Sequence, residues 1–323
     1  MPTQSIHIND LLIDDSRFAL HNFIFDSVSE PSCHINTFCT LGILYPIIVY
    51  KDRKGLVHLV DGRKRAEYAK QSEDRMIRAM VLPDTTPVTD IVSLIHCNKR
   101  NDIESSVMNK VQFLCFAISM NVPESWILKV LCVPLEFKPH TEFLRECERI
   151  FHLPRQLRQF CHEKKFSLKQ LLNLSYYSPD ILNQLIQWKS TLQLTASTLD
   201  EIASHLRDYL RANNKSLKDF LAEPDVEEVL ESSLSQREKT EKLRQLLYLK
   251  RFPTLSAVNA NIRQIIKQLQ LPKEIQITWD STLENKNVDV RLNINDPQKL
   301  QVVLDTLASS DVKKAVQSIL DEL

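Results

Sequence analysis

The residues best suited to chemistry in this chain lie where its glycines lie. Its three glycines, Gly42, Gly55 and Gly62, fall in one short window, and the last sits in the run Asp61-Gly62-Arg63-Lys64-Arg65. Glycine reaches positive φ without steric cost and lets a backbone approach a ligand closely. At a strand-to-helix junction such a run offers unpaired amides, the positive end of a helix dipole and guanidinium forks, the combination that holds a phosphate. Gly62 would bring the amides near, while Arg63, Lys64 and Arg65 would supply charge. Three basic residues in a row also describe a solvated turn, so the neighbours decide. Two His/Cys pairs, His96-Cys97 and Cys161-His162, suggest a nucleophile and its base. Adjacent residues on a helix point in different directions, so both pairs read as packing residues.

The elements that position the basic run follow from local pattern. Residues 5–8 alternate as a short strand, and residues 31–41 read as a helix ending at Gly42. Residues 47–50 and 56–60 are rich in Ile and Val and flank Lys51-Asp52-Arg53-Lys54-Gly55, a hairpin pattern. Asp61 then reads as the N-cap of a helix reaching about Gln71. Another strand is expected at 76–82 and a helix from Thr89. Beyond Ser105 strand signals nearly vanish. Helix 123–131, a three-residue turn at Cys132-Val133-Pro134 and a helix over 139–151 form a helix-turn-helix-like pattern, and short helices follow to an amphipathic one at 197–212. The acidic Glu223-Pro224-Asp225 reads as a domain joint. Basic helices at 237–250 and 257–269, strands at 275–279 and 288–294, and helices at 297–307 and 311–323 complete the chain. The expected class is α+β, with a small mixed N-terminal domain (1–104), a helical middle (105–222) and a small α/β module (223–323).

Composition bounds the function. Across 323 residues, 43% hydrophobic and 25% charged content is that of a globular chain, which argues against wholesale disorder. Lys and Arg number 41, as do Asp and Glu, so no global field advertises a polyanionic partner. The charges are segregated instead: residues 1–40 are acidic, while 51–70 and 237–273 are basic. Seven cysteines, odd in number and without CxxC spacing, predict reduced core thiols and a cytoplasmic setting. No apolar run is long enough to span a membrane.

Gly42 with Pro46, the apolar strand from Ile47, the hairpin, then Val60-Asp61-Gly62-Arg63-Lys64-Arg65 and Tyr68-Ala69-Lys70 resemble the N-terminal domain of ParB-type partition proteins. That family reads GxxxPIxV, a turn, then a G-x-R-R-like box opening a helix. Ile95-His96-Cys97-Asn98-Lys99-Arg100-Asn101-Asp102-Ile103 resembles its third box, ENxxRxDL. The likeness covers about residues 5–110, with a weaker likeness in helix order to about 220. It implies a ParB/sulfiredoxin-like domain with a pocket for CTP and Mg2+. Gly42 and Pro46 would belong to the first box, Gly62, Arg63, Lys64 and Arg65 to the phosphate side, and Asn98 and Arg100 to the third box.

The departures from that family bear on catalysis. Arg63 stands where Glu is common, Glu67 where Arg is common and Tyr45 where Gln is frequent. His96 and Cys97 replace the Glu-Asn pair that holds magnesium, and a thiol is a poor ligand for that ion. The pattern favours phosphate binding, with weak CTPase activity at most. The phosphate-cradling Gly-Gly-Cys-His-Arg run of sulfiredoxin is missing, which argues against peroxiredoxin repair. The resemblance further implies DNA as a partner, a homodimer and a ParA-like ATPase partner. Candidate DNA contacts are Lys138, His140, Arg145 and Arg149 in the recognition segment, then Arg155, Arg158, Lys164 and Lys165. Glu136, Glu142, Glu146 and Glu148 offset the first group, so a helical bundle serving as spacer or partner surface fits equally. Two other classes stay open: a nuclease or phosphotransferase on this fold, and a non-catalytic adaptor with a vestigial pocket.

Overall fold

Ile47 and Val49 are buried and alternate with more exposed neighbours in β3 (Ile47–Lys51), which turns at Asp52 and returns antiparallel as β4 (Val57–Asp61). The turn is held by Asp52, whose Oδ1 accepts from the Lys54 and Leu56 amides, and by Gly55 at φ +83°. β5 (Met76–Leu82) lies parallel to β3, and β1 (Thr3–His7) pairs antiparallel with β5. The two-residue β2 (Leu11–Leu12) runs parallel to β4, giving a five-stranded mixed sheet in the order β1-β5-β3-β4-β2. Between β4 and β5 comes α1 (Arg63–Gln71), whose buried residues are Ala66 and Ala69. Both belong to one core with Ile47, Val49, Leu59, Ile77 and Ala79, and their small side chains permit close helix-to-sheet approach.

A computed structural model of the chain describes residues 3–14, 16–26, 42–71 and 75–323. The helix expected at 31–41, with Cys33 and Cys39, lies outside the described residues. The molecule is α+β and divides into two compact units, Met1–Ala203 and Ser204–Leu323.

Within the first unit the sheet is followed by α2 (Val88–Asn98), α3 (Arg100–Glu104) and α4 (Val107–Ser119). Residues 108–109 and 111–117 of α4 are all buried, as expected of a helix apolar nearly all round. Around it gather α5 (Glu124–Trp126) with its π-helical continuation Ile127–Leu131, then α6 (Phe143–Phe151), α7 (Arg155–Glu163) and α8 (Leu168–Leu174). α9 (Pro179–Trp188) and α10 (Ala196–Ala212) follow, and the division between units falls within α10. The helix-turn-helix-like expectation needs correction here. The segment after Leu131 is not a three-residue turn: residues 132–142 carry no helix, and the next helix opens at Phe143 rather than at Pro139. Cys132 N–H bonds to Ile127 O and Phe137 N–H to Cys132 O, so widened turns occupy 127–137, and a turn from His140 O to Phe143 N–H precedes the next helix.

The second unit runs through α11 (Leu217–Leu221), α12 (Pro224–Glu231), α13 (Gln236–Arg251) and α14 (Pro253–Gln268) to the antiparallel pair β6 (Ile275–Trp279) and β7 (Val288–Leu292), then α15 (Pro297–Ala308) and α16 (Ser310–Glu322). Its sheet packs Ile277 with Ile262 and Ile319. The Glu223-Pro224-Asp225 segment lies inside this unit. Pro224 occupies the first turn of α12. Burial alone would raise the Glu223 carboxyl, but hydrogen bonds from Lys215, Lys250 and Tyr209 prevail and hold it at about 2.

Candidate nucleotide-phosphate site and nucleic-acid surface

The three boxes meet. Asp61 ends β4, and its carboxylate receives Arg65 Nη2 at 3.1 Å, Asn98 Nδ2 at 3.5 Å and Lys99 Nζ at 3.8 Å. Arg65 also reaches the first box, where its Nη1 donates to Tyr45 O at 3.2 Å and Pro46 O at 2.5 Å. Residues from 45–46, 61–65 and 98–99 thus form one polar knot at the junction of β4 and α1. Asp61 is not the N-cap. α1 begins at Arg63, so Gly62 holds the cap position and its carbonyl accepts from Ala66 N–H.

Gly62 is required here for a reason other than ligand approach. Its φ is +104°, and a Cβ at this position would stand 2.6 Å from Ile47 Cγ2 and 3.0 Å from Arg65 Nη2. The missing side chain therefore makes room for the β3 core residue and for the Arg65 fork. Gly42 has φ +69°, but open space surrounds its Cβ position, so only its conformation argues for glycine.

The box cations are mostly engaged internally. Arg63 donates to Glu67 at 2.6 Å and to Asp14 at 3.3 Å, and Arg100 donates to Glu104 at 2.8 Å. Lys64 is exposed, and nothing described pairs with it. The residues do not fit a magnesium ion: Asp61 already serves three donors, and His96 is buried against the Phe113 ring. Burial holds the His96 pKa below its ordinary value, with Glu104 opposing and Arg100 reinforcing the shift. Among the described residues no three His, Cys, Asp or Glu gather as a ligand set. Asn98 enters the knot as a donor rather than as a metal ligand.

The expected DNA residues divide differently. Lys138 and His140 precede α6, where Lys138 is exposed and His140 pairs with Glu146 at 3.1 Å. Arg145 pairs with Glu142, and Arg149 lies over the exposed Tyr176 ring at 4.6 Å. Arg155 covers Phe25 and donates to Asn22 O, while Lys164 is exposed and Lys165 donates to Ser105 O. Arg158 is not a surface cation. It is 9% exposed, donates Nη1 to Gln112 Oε1 at 2.7 Å and Nε to Leu153 O, and stacks over Phe151.

That arginine belongs to a buried polar network absent from the sequence-based expectations. Asn109, fully buried, takes the Phe25 amide on Oδ1 at 2.9 Å and donates Nδ2 to Phe25 O at 2.7 Å and to Asp102 O at 2.9 Å. Gln112 Nε2 donates to Asn109 Oδ1 and its Oε1 accepts from Arg158, while Ser106 Oγ lies 2.7 Å from His162 Nδ1. The Asn109, Gln112 spacing on a helix whose other residues are apolar save Lys110 and Ser119 is the signal in the sequence: amides at i and i+3 share one face. Cys161 and His162 are buried as expected of packing residues, with burial raising the thiol to about 12 and lowering the imidazole. His96 is buried too, but Cys97 is exposed.

Comparison with family models finds no match, and no curated protein matches the chain. Among solved structures it is similar to the C-terminally truncated chromosome-partitioning protein ParB from Caulobacter crescentus, determined in complex with the centromeric parS site. That likeness has 12% sequence identity and a TM-score of 0.31 over 62% of this chain and 98% of the other. Two folds with so low a score do not superpose as wholes, and no residue role is carried across. Among the described residues no helix is long and apolar enough to cross a membrane.

Proposed function

We propose that the chain is a ParB-type, DNA-associated protein that works by binding rather than turnover, with a nucleotide phosphate held beside Lys64 at the start of α1. The observation that supports this reading is the meeting of the three sequence boxes at Asp61 and Arg65. The β3–β4 pairing, with Ile48 opposite Asp61, brings the first two boxes together, and the third reaches the same carboxylate through Asn98 and Lys99 although 37 residues separate Asn98 from Asp61. On this reading the exposed Lys138, Arg149 and Lys164 are phosphate contacts to duplex DNA. A homodimer, a ParA-like ATPase partner and a cytoplasmic setting belong to the same proposal.

Isothermal titration with CTP and other nucleoside triphosphates tests the first half. Heat with CTP is expected without added magnesium, together with its loss in Lys64→Ala. Silence with every nucleotide overturns nucleotide binding. For the second half, duplex affinity should fall linearly with the logarithm of salt, and a flat or absent response overturns phosphate contact.

A second reading has its own support. Arg63, Arg65 and Arg100 each already hold an internal acceptor, which suits an adaptor whose pocket has closed on itself. No nucleotide heat, together with partner binding unaffected by Lys64→Ala, selects that reading.

A further inference from the structure

The second unit carries a groove beside a strand edge that no other described strand covers. β6 pairs with β7 in register Ile275 to Leu292 and Trp279 to Val288, and these two strands are the whole sheet. Asn293 N–H bonds to Glu274 O, so residue 274 faces β7. In an antiparallel ladder the direction alternates, and Ile277 and Trp279 therefore turn N–H and C=O to the outer edge. Ile275 does the same, and its N–H is capped by Pro272 O.

Along this edge lies a cavity of about 350 Å³, lined by the end of α14, the loop 270–273 and β6. Ile266, Leu271 and Ile275 give it apolar walls, and Lys267 and Lys273 are exposed at its rim. No carboxylate lines it.

We infer that this groove is a docking site for an extended, acidic peptide segment of a partner protein, added as a strand to the outer edge of β6. Three separate features select that occupant. The open N–H and C=O of Ile277 call for a main chain in extended form, as in other strand additions. Apolar walls take every second side chain, because strand side chains alternate faces. The two lysines favour carboxylates on the residues between and disfavour a basic segment. A polynucleotide would satisfy the lysines but not the strand edge or the walls.

The test uses the full-length protein and a fluorescein-labelled octapeptide alternating Asp with Ile and Val. Controls are its Lys-for-Asp counterpart and a version N-methylated at alternate amides. Fluorescence anisotropy should show saturable binding of the acidic peptide, at least about tenfold weaker binding of both controls, and about tenfold loss in Lys267→Glu/Lys273→Glu. Hydrogen exchange should slow in the 275–279 segment on peptide addition. Both lysines are exposed, so the double variant should keep the parent circular dichroism spectrum.

No saturable binding, equal affinity for the basic counterpart, or indifference to charge reversal overturns the proposal. So does slowed exchange elsewhere without change at 275–279. If 275–279 is already protected without peptide, in proportion to protein concentration, a second copy of the chain occupies the edge and the proposal falls.

Discussion

Two polar clusters of the first unit each absorb an arginine that the sequence marked for phosphate, and they do so in opposite surroundings. Around Asp61 the groups stay partly wet: the Arg65 side chain is 21% exposed and that of Asp61 14%. Around Asn109 they are dry, with Asn109 and Gln112 fully buried. Water can replace a lost partner in the first cluster but not in the second, so similar hydrogen bonds carry different weight. The dry network ties Phe25 and α7 to α4, while the wet knot keeps charge at the surface, where an anion can compete for it.

The contrast predicts its largest effect at the dry end. Asn109→Ala takes the side-chain partner from the Phe25 amide and carbonyl and from Gln112 Nε2, while the Asp102 carbonyl keeps Ser105 Oγ. It should destabilise the first unit by about 3 kcal/mol, as expected when several buried polar groups lose their partners together. Urea unfolding followed by tryptophan fluorescence measures it, since Trp126 and Trp188 lie in that unit. A loss under about 1 kcal/mol would mean that water reaches the network and would erase the distinction.

Most of the first unit's sheet is legible in the sequence. β3, β4 and β5 fall within a residue of their expected limits because alternation and the Asp52–Gly55 turn are local signals. The start of α6 is not legible, because the widened turns at 127–137 depend on how the π-helical segment Ile127–Leu131 packs against α4 rather than on sequence pattern. The role of Arg158 is hidden for the same kind of reason. A charged residue on an amphipathic helix reads as surface unless its distant acceptor, here Gln112, is known. Asp61 and Arg65 stand four residues apart, a spacing that suits an ion pair, yet their residue types point equally to a cap and a phosphate ligand.

Gly62 provides a middle-sized test of whether the wet knot is built or merely tolerated. Gly62→Ala places a methyl at φ +104° and within 2.6 Å of Ile47 Cγ2, so strain and overpacking act together. About 2 kcal/mol of destabilisation is expected. Gly42→Ala, at φ +69° in open space, should cost about 1 kcal/mol. Thermal unfolding of the two variants side by side reads the difference. Equal losses would show that backbone conformation alone sets both positions and that the contact with Ile47 is soft.

The smallest effect separates two arginines of the same box. Arg65 holds two carbonyls and one carboxylate, and its removal should cost about 1.5 kcal/mol. Arg63 pairs with Glu67 and Asp14, whose side chains are 48% and 70% exposed. Solvent screens such pairs, and Arg63→Ala should cost at most about 0.5 kcal/mol, shrinking further with added salt. Urea midpoints at low and high salt give both numbers. If Arg63→Ala matched Arg65→Ala at either salt, the exposed pairs would be structural and the wet knot would extend along α1. If it does not, Arg63 is the box arginine whose guanidinium can leave its carboxylates for a phosphate at little cost to the fold, and nucleotide affinity should fall in Arg63→Ala without a matching fall in stability.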